Sequence, residues 1–415
     1  MCPTDRSPHA IVVGLDSFTG LQTARILHRR GIPVIGVASD PGHFCCRTRV
    51  CERVVVAGTN ATNLIRTLED LGAQLPGKAV LVPCADESVS LISQHRQRLE
   101  KYYYVQLPDP EIVEMLMDKI GFYTYAQGAG LSIPLTFLLH NRGEAERAAR
   151  KLTYPCVLKP PKKSRTWQQN TNIKAFKIAS AEELLATYER CADWAEVLIV
   201  QQWIEGADAN LYSCNCYFGS DGDPLVTFIA RKLRQWPPET GTSCLGEEVR
   251  NDVVLQESMR LFRGVNYRGL GYVEMKRDQR TGLHYIIEPN IGRPTGRSAI
   301  AEAGGVELLY TMYCDAVGWP LPANREQKYT GAKWIYWRRD IQSALYYWRR
   351  GDLTLREWWQ SWRGRKFSAV FSWSDPVPFL LDLFGTMRLL MGTGASQGRR
   401  RKVHTNSESA KSGND

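Results

Sequence analysis

Three absences limit what this chain of 415 residues can be. No apolar run approaches the roughly 18 residues that a membrane span needs. The N-terminus "MCPTDRSPHA" has no basic segment followed by an apolar one, so export is not indicated. The eleven cysteines form no C-x-x-C pair, which favours free thiols in a reducing cytoplasm over zinc sites or disulfides. We therefore expect a cytoplasmic globular protein of two or three domains.

Glycine is missing where a dinucleotide-binding turn would need it. The stretch "IVVGLDSFTGLQTARIL" predicts a strand, a turn and a helix, which is how dinucleotide-binding domains begin. Two and five residues after Gly14 stand Asp16 and Thr19, and an aspartate there would repel a pyrophosphate. A capping box of Thr19 and Gln22 would start the helix, and Asp40 is interpreted as a turn residue. The sequence thus predicts the fold without the cofactor, with an NAD-dependent oxidoreductase as an alternative.

The order of apolar and polar residues predicts two kinds of architecture. Apolar runs alternate with helical patterns over residues 8–110, which favours a parallel sheet in an α/β, Rossmann-like domain. Over residues 111–325 the strands cluster, which favours an α+β domain with antiparallel sheets. One continuous helix is expected at "PEIVEMLMDKIGFYTYAQGAG". Ser180 and Glu183 predict a capping box at the start of a later helix.

The sharpest local signal is Glu288-Pro289-Asn290 at the end of the strand "LHYIIEPN". Period-two alternation puts Glu288 and Asn290 on one face, and Glu274 on the preceding strand joins them if the connecting loop is odd in length and has no bulge. Two carboxylates and an amide carbonyl suit magnesium, which takes few protein ligands and completes its shell from phosphates and water. The alternative is a pair of solvent-facing acids on an edge hairpin.

Two lysines and an apolar strand add features of a phosphate and nucleotide site. Lys159 ends the strand "YPCVLKP" and Lys119 lies on a helix upstream; both are point charges suited to phosphate oxygens. The strand "LIVQQWIEGAD" stops in Gln201-Gln202-Trp203-Ile204 and then turns at Gly206 towards Asp208. Backbone groups there could meet a purine edge, and the carboxylate could accept from ribose hydroxyls. Each feature alone also fits an ordinary surface residue.

Taken in order, these segments resemble the ATP-grasp superfamily over residues 11–320. They are "DKIGFYTYAQGAGLSIP", "PCVLKP", "VQQWIEG", "GYVEMKR" and "IIEPN". The resemblance implies a ligase that clamps ATP, phosphorylates a carboxylate and joins it to an amine, with Mg²⁺ or Mn²⁺ neutralising the triphosphate. It also implies a Rossmann-like domain ahead of an ATP-grasp domain over 111–325, whose subdomains are 111–200 and 201–325.

The resemblance implies a role for each candidate residue. The residues implied to bind phosphate are Lys119, Lys159 and Lys174, and those implied to form the adenine hinge are Gln201, Gln202, Trp203 and Ile204. Asp208 would bind the ribose. The implied metal ligands are Glu274, Glu288 and Asn290. Arg293 is the candidate for stabilising oxyanion charge, although it stands three residues after Asn290 where common relatives have two, and it could instead screen the acids. Arg231 is the candidate for phosphate or substrate contact, with a solvated strand edge as its alternative.

The flap over the triphosphate departs from the glycine-rich pattern of many relatives, because no glycine occurs from Glu144 to Glu205. The segment "PPKKSRTWQQNTNIKAFK" offers instead the cations of Lys162, Lys163, Arg165 and Lys174. A tryptophan-bearing flap with a later lysine looks similar to the D-aspartate ligase and carboxylate–amine ligase branch. The substrate would contact the first turn or a polar loop, through Asp16, Ser17, Thr19, Thr242 and Ser243.

Basic charge and tryptophan are concentrated at the C-terminal end. Residues 325–402 carry sixteen Lys or Arg and six Asp or Glu, and seven of the twelve tryptophans lie beyond residue 330. The favoured interpretation of 326–392 is a helical extension packed on the catalytic body by its tryptophans. Contact with a nucleic acid or an anionic membrane is the alternative. A short apolar helix is expected at Pro378–Met391 and a disordered tail over 393–415.

The favoured function is a cytoplasmic ATP-dependent ligase acting on a small-molecule carboxylate and an amine, with release of ADP and phosphate. The bond formed would be an amide or peptide-like bond on an amino-acid-type substrate. A catalytically degenerate ATP-grasp module that binds nucleotide or a membrane surface is the alternative. No nucleic-acid partner is expected, peripheral membrane contact is a secondary hypothesis, and a dimer is the default oligomer.

Overall fold

The computed structural model describes residues 7–58, 61–162, 164–238, 241–296 and 298–385. Its strands form a five-stranded parallel sheet, a four-stranded antiparallel sheet and a seven-stranded sheet. This confirms the predicted combination of α/β and α+β parts. Across the described ranges, no helix combines the length and the apolar character that crossing a membrane requires.

The parallel sheet is built from the first part of the chain. Its strands and helices are β1 (Ala10–Val13), α1 (Phe18–His28), β2 (Val34–Ala38), β3 (Arg53–Val56), α2 (Ala61–Ala73), β4 (Ala79–Pro83), α3 (Asp86–Gln94), α4 (Arg96–Leu99) and β5 (Tyr103–Val105). The strand order is β3-β2-β1-β4-β5. Strands β1, β2 and β4 are buried along their whole length, which is why they read as continuous apolar runs.

Helix α1 begins earlier than the expected capping box of Thr19 and Gln22. Its N-cap is Ser17, whose Oγ accepts from the Gly20 amide at 3.0 Å. Gln22 is buried, and its Nε2 donates to the Ala369 carbonyl at 3.0 Å. That capping-box prediction is wrong, because packing against the C-terminal end of the chain engages the Gln22 side chain.

The four-stranded sheet and its helices follow. They are α5 (Pro110–Met117), α6 (Lys119–Gly128), β6 (Thr136–Leu139), α7 (Arg142–Lys151), β7 (Cys156–Lys159), α8 (Arg165–Asn170), β8 (Phe176–Ile178), α9 (Ala181–Cys191) and β9 (Leu198–Gln202). The strand order is β6-β9-β7-β8. As expected, Ser180 caps α9 by accepting from the Glu183 amide, but the Glu183 carboxylate accepts from the Ala179 amide.

The single helix expected after Pro110 is broken at Asp118. The Asp118 backbone is extended, and its carboxylate accepts from the Gly121 amide at 2.7 Å as the N-cap of α6. An aspartate stabilises a helix start at this position, because it satisfies an amide that has no partner inside the helix. Lys119 therefore becomes the first residue of α6.

The seven-stranded sheet takes up most of the rest of the chain. Its elements are β10 (Leu211–Phe218), β11 (Pro224–Trp236), β12 (Thr242–Glu248), α10 (Asp252–Gly264), β13 (Gly269–Arg277), β14 (His284–Ile291), α11 (Ser298–Ala303), α12 (Leu308–Val317), β15 (Lys333–Ile335), α13 (Trp337–Arg350), α14 (Leu355–Ser361) and β16 (Lys366–Ser368). The strand order is β14-β13-β10-β11-β12-β15-β16. A last helix covers 377–385.

The C-terminal segment, defined here as residues 326–385, is partly integrated into the body. β15 and β16 extend the seven-stranded sheet, and Trp334 on β15 is buried. Trp348, Trp359 and Trp373 are exposed, so packing accounts for only some of the tryptophans. Outside the described residues lie Lys163, the end of the expected helix Pro378–Met391 and the expected tail 393–415.

Candidate functional site

One face of the seven-stranded sheet carries several polar side chains. Glu288 on β14 lies directly opposite Glu274 on β13, and Glu274 lies opposite Ser213 on β10. Directly opposed residues of antiparallel strands share a face, so the two glutamates lie side by side. Asn290 lies on the same face, two residues along from Glu288. The structure therefore brings the three predicted oxygen donors to one face.

The two glutamates meet by a route that differs from the expected one. The paired residues that flank the connection are Arg277 and His284, so six residues separate them. That even loop alone would place Ile287 opposite Glu274. A bulge next to Glu274 adds one residue on β14 and puts Glu288 there instead. Both conditions, an odd loop and no bulge, were wrong, and the two errors cancel.

Lys232 on β11 joins the glutamates, although its sequence neighbours suggested a strand edge. Its ammonium group is buried and lies 3.0 Å from the Glu274 carboxylate. β11 lies inside the sheet, between β10 and β12, so the strand-edge alternative is wrong. The sequence held a signal for this residue. Val226, Phe228 and Ala230 alternate as buried residues on one face, and Lys232 continues that period of two.

Arg231 lies on the other face of β11. Its guanidinium group pairs with the Glu247 carboxylate on β12 at 2.6 Å. Adjacent residues of a strand point to opposite faces, so Arg231 is not on the face that carries Glu274. A phosphate or substrate contact by Arg231 therefore stays a prediction, and Lys232 rather than Arg231 lies beside Glu274.

Lys119 and Lys159 lie by the same cluster but come from the four-stranded sheet and its helices. Lys159 ends β7 and donates to the Tyr123 hydroxyl at 3.3 Å and to Gln201 Oε1 at 3.2 Å. Burial lowers the pKa of Lys159, against the opposing charge of Glu288. Desolvation by the surrounding protein, and then repulsion from Lys159, lower the pKa of Lys119. The cleft between the two sheets therefore holds charges from both.

Glu288 lies among charges of both signs, with one glutamate and three lysines around it. Its side chain reaches solvent, yet nearby protein atoms desolvate its carboxylate. Desolvation, and then repulsion from Glu274, raise the pKa of Glu288 despite the attraction of three lysines, which are Lys119, Lys232 and Lys159. A cation bound beside this carboxylate would favour its charged form.

Arg293 holds the amide of Asn290. Arg293 Nη2 donates to Asn290 Oδ1 at 2.8 Å, and its Nε donates to the Asp86 carboxylate. Asn290 Nδ2 is buried and has no hydrogen-bond partner among the described residues. Turning the amide round would set two donors against each other, so the oxygen stays on Arg293. One lone pair of Asn290 Oδ1 is therefore already used by Arg293.

The pair Glu274 and Glu288 is the part of the donor set that fits a hard cation best. Over the described stretches of chain, no group of three or more His, Cys, Asp or Glu could hold a metal ion. Two carboxylates side by side suit magnesium, which takes its other ligands from phosphates and water. Asn290 is less well placed for this role than the sequence suggested.

Known proteins share this architecture. The D-aspartate ligase of Enterococcus faecium is 26% identical over 248 residues, which are 57% of this chain and 58% of the ligase, so the match covers less than two thirds of that relative. The biotin carboxylase of Campylobacter jejuni has a TM-score of 0.61 at 15% identity and covers 78% of this chain and 74% of its own. The L-amino acid ligase of Bacillus licheniformis has a TM-score of 0.56 at 14% identity and covers 75% of both chains. No family model matches the sequence.

The chain has the fold of the ATP-grasp superfamily, and its sequence is similar to that of the D-aspartate ligase. The predicted ATP-grasp hinge lies at the end of β9. Gln201 is buried there, and its Nε2 donates to Thr136 Oγ1 at 2.8 Å while its Oε1 accepts from Lys159. The amides of Gln202 and Trp203 donate to backbone carbonyls at 2.9 and 3.1 Å. These two amide donors are used within the protein, so adenine contacts through them stay a prediction.

The Trp203 ring lies against two cations. The ammonium groups of Lys177 and Lys276 are 4.6 and 5.0 Å from its centroid, a geometry in which the ring face attracts positive charge. Ile204 next to it is buried. Lys174 is exposed between α8 and β8, so its predicted phosphate contact stays a prediction.

Asp208, predicted to bind the ribose, is buried and engaged by protein groups. The backbone amide of Gln235 donates to the Asp208 carboxylate at 3.2 Å, and Gln235 Nε2 donates to it at 2.6 Å. The Tyr347 hydroxyl on α13 donates to it at 2.7 Å. A ribose would have to compete with these donors. The C-terminal segment thus reaches back to the residues that follow the hinge.

The ATP-grasp flap region contains a short helix held by a tryptophan. Trp167 on α8 is buried, and its Nε1 donates to the Ile173 carbonyl at 2.9 Å. The rings of Phe176 and Trp194 lie 5.7 and 5.5 Å from its ring. A packed side chain therefore orders this region where a glycine-rich loop would rely on backbone contacts.

Two of the three first-turn candidates stabilise the turn itself. The Asp16 carboxylate accepts from the Ser39 amide and hydroxyl at 2.9 and 2.6 Å and from the Asp40 amide at 2.9 Å. Ser17 is the N-cap of α1, and Thr19 lies in its first turn. Asp40 Oδ1 accepts from the amide two residues on, which confirms its turn role. Substrate contacts by these residues stay predictions.

Asp86, from the part of the chain that forms the parallel sheet, contacts Arg293 of the cluster. It is the first residue of α3, just after β4. The chain crosses to opposite sides of the sheet from β1 and β4, and such a switch point leaves a crevice at the carboxyl ends of the strands. The sequence reasoning missed Asp86, although its position after β4 was a usable signal.

Thr242 and Ser243 lie in strand β12, where a loop was expected. Thr242 Oγ1 accepts from Arg339 on α13 at 2.5 Å. Ser243 is buried, and its Oγ donates to the Leu245 carbonyl at 3.5 Å. Both hydroxyls therefore have protein partners. The expected loop is corrected to a strand, and substrate contacts by these two residues stay predictions.

Proposed function

We propose that this protein is an ATP-dependent ligase that activates a carboxylate as an acyl phosphate and joins it to an amine. The observation that carries the proposal is one cleft in which Lys119 and Lys159 from one sheet region meet Lys232, Glu274 and Glu288 from the other. The relatives named D-aspartate ligase and L-amino acid ligase support a substrate of the amino-acid type. The product would hold an amide or peptide-like bond.

The lysines suit the phosphate chain of ATP. Their desolvation strengthens an interaction with phosphate oxygens, because protein replaces the water that would screen it. In the first step a carboxylate oxygen of the substrate bonds to the γ-phosphorus and ADP leaves. In the second step the amine bonds to the carbonyl carbon, phosphate leaves, and the new amide loses a proton.

Glu274 and Glu288 would hold a divalent ion, magnesium or manganese, in this proposal. Such an ion neutralises phosphate charge when bound. The raised pKa of Glu288, caused by desolvation and by Glu274, fits a carboxylate pair whose charged form a bound cation would favour. Lys232 holds Glu274 in place through its 3.0 Å contact.

Arg293 would stabilise the oxyanion that develops at the substrate carbonyl. Its side chain is fixed at both sides, by Asn290 on β14 and by Asp86 at the start of α3. The substrate would then lie between the seven-stranded sheet and the crevice next to β4. We propose small-molecule substrates in the cytoplasm and no nucleic-acid substrate.

The test measures release of ADP and phosphate by the purified chain with Mg-ATP and a pool of amino acids that includes D-aspartate. Release that requires both a carboxylate and an amine supports the ligase. Glu288→Gln should abolish release because it removes the charge and keeps the size, whereas Glu111→Gln, exposed on α5, should not. Tight ATP binding without release would instead identify a degenerate binding module, and NADH binding would favour an oxidoreductase.

A further inference from the structure

The C-terminal segment exposes an unusual share of large apolar side chains. Eighteen are exposed among the described residues, and twelve of them lie in 341–384. Trp373 is 89% exposed, Trp359 66% and Leu355 62%. Single exposed apolar residues are normal on any protein, but their concentration in one region marks an interaction site.

These side chains fall at helical spacing. In α13 and in the last helix the exposed residues are at positions i, i+4 and i+7, and in α14 at i and i+4. Residues at this spacing share one face of a helix, so each helix turns an apolar stripe to solvent. The stripes are Ile341, Leu345 and Trp348; Leu355 and Trp359; and Val377, Leu381 and Phe384.

The three helices are neighbours. Trp358 on α14 and Trp362 just after it donate to the Asp340 carboxylate on α13 at 3.1 and 2.9 Å. Arg338, also on α13, lies 3.4 Å from the Asp382 carboxylate of the last helix. The first turn of α13 therefore contacts both other helices. We call the exposed side of α13, α14 and the last helix the amphipathic surface.

The acids of this region are used inside the protein. Asp340 and Asp375 are almost fully buried and pair with Arg234 and Arg25 of the body, both at 2.8 Å. Asp382 is buried as well. The exposed acids of the region are Glu326, Asp352 and Glu357, whereas the exposed cations are Lys328, Arg349, Arg350, Arg356, Arg363, Arg365 and Lys366. Burial of its acids thus leaves the region's surface basic.

We propose that the amphipathic surface binds the face of an anionic lipid bilayer, with its helices in the plane of the headgroups. Apolar stripes enter the boundary of the acyl chains, and arginines meet the lipid phosphates. Neither feature requires the ATP-grasp reaction, so the proposal is independent of the ligase function.

Two other occupants fit less well. A nucleic acid would use aromatic side chains for stacking, but seven of the twelve exposed apolar residues are Ile, Leu or Val, which offer no ring to stack on a base. A second copy of the chain would set one basic surface against another, and like charges repel. A lipid surface satisfies the apolar and the basic groups together.

The test is co-sedimentation of the full chain with vesicles, without nucleotide. One set is phosphatidylcholine, and the other is an equimolar mixture with phosphatidylglycerol. We expect at least about ten-fold more protein bound to the anionic vesicles at low salt, and a loss of that binding as salt screens the charges. Equal binding to both sets, or none to either, would overturn the proposal.

Matched variants separate the surface from general stickiness. Replacing Trp348 and Trp359 by alanine should lower binding at least about five-fold. Replacing Val253 and Leu283, exposed elsewhere on the body at 48% and 58%, should leave binding unchanged. Denaturation curves check that both variants fold. Unchanged binding in the tryptophan variant would refute the proposal. A dimer that the tryptophan variant abolishes would also refute it. So would displacement by DNA from the same surface, if the tryptophan variant abolishes that displacement.

Discussion

Two buried ion pairs on strand β11 differ in what surrounds them. Lys232 pairs with Glu274 at 3.0 Å, and Arg234, two residues on, pairs with Asp340 at 2.8 Å. Asp340 also accepts from the indole groups of two tryptophans, so its oxygens are satisfied. Glu274 instead lies beside Glu288, whose pKa is raised by desolvation and by that neighbour. The first pair borders the cleft, and the second is closed by the C-terminal segment.

The difference shows how a buried charge can be assigned a role. A charge whose partners are all protein groups stabilises one arrangement of the fold, and breaking it leaves a costly unpaired ion. A carboxylate that lies beside another carboxylate and has a raised pKa is suited to a ligand, because a bound cation would favour its charged form. The pairing of β11 is irregular between Lys232 and Arg234, and this irregularity allows one strand to contribute to both ion pairs.

Breaking the closed pair should have the largest effect on stability. Asp340→Asn removes the charge opposite Arg234, and we expect the free energy of unfolding to fall by about 3–5 kcal/mol. Urea denaturation measures it. Asp352→Asn, exposed at the end of α13, is the control, and a similar small change in both variants would contradict the closed-pair interpretation.

Breaking the open pair should instead affect catalysis. Lys232→Met should lower ligase turnover by about 10²–10³-fold, the range typical of one preorganised charge, with a smaller loss of stability than Asp340→Asn. Steady-state release of ADP measures it. Arg231→Met is the control, since Arg231 lies on the opposite face of the same strand. Equal losses of activity in both would remove the distinction between the faces.

A third buried carboxylate offers an intermediate case. Burial raises the pKa of Glu302 to about 7, and Arg30, 3.6 Å away, opposes the shift only in part. Between pH 4.5 and pH 7 the folded protein therefore keeps a proton on Glu302 that the unfolded chain has lost. The free energy of unfolding should fall as the pH rises through this window.

A pKa shift from 4.5 to about 7 corresponds to about 3.5 kcal/mol, since each pKa unit is about 1.4 kcal/mol. Between pH 5 and 8 the loss should be about 2.5 kcal/mol, because the rest is lost at lower pH. Glu302→Gln cannot titrate, so denaturation of this variant should show a weaker pH dependence than the natural protein. Glu111→Gln should keep the natural dependence. A pH profile identical in all three proteins would rule out Glu302 as its source.

The smallest expected effect concerns the contact between the C-terminal segment and Asp208. Tyr347→Phe removes one hydrogen-bond donor and should cost about 1 kcal/mol of stability. It also frees one acceptor of Asp208, so the KM for ATP should fall more than kcat changes if the ribose uses that oxygen. Tyr346→Phe is the control, because that hydroxyl contacts Arg350. An unchanged KM would argue against a ribose contact by Asp208.

Local sequence patterns predicted much of the fold. Continuous apolar runs predicted the parallel sheet, since strands covered on both faces have no polar side. The alternation around Glu288 predicted that it shares a face with Asn290, because a strand has a fixed period of two. These properties depend on neighbouring residues alone. For the same reason the Ser180 cap could be read from the sequence.

Features set by distant residues could not be read in this way. Gln22 donates to Ala369, and Asp208 accepts from Tyr347, each across a long stretch of chain. Asp118 looked like a residue inside a helix, although its side chain starts a new one. The bulge beside Glu274 depends on how β13 and β14 pair, so no count of loop residues could place it.

The sequence by itself thus determined which segments become strands and which chemical groups are present, because backbone preference and hydrophobic period act over a few residues. Only the tertiary structure decided which charges meet. It placed Lys232 rather than Arg231 beside Glu274 and buried the acids of the C-terminal segment against arginines of the body. The interaction between two charged groups depends on their distance in space and on their burial, and the order of residues along the chain determines neither directly.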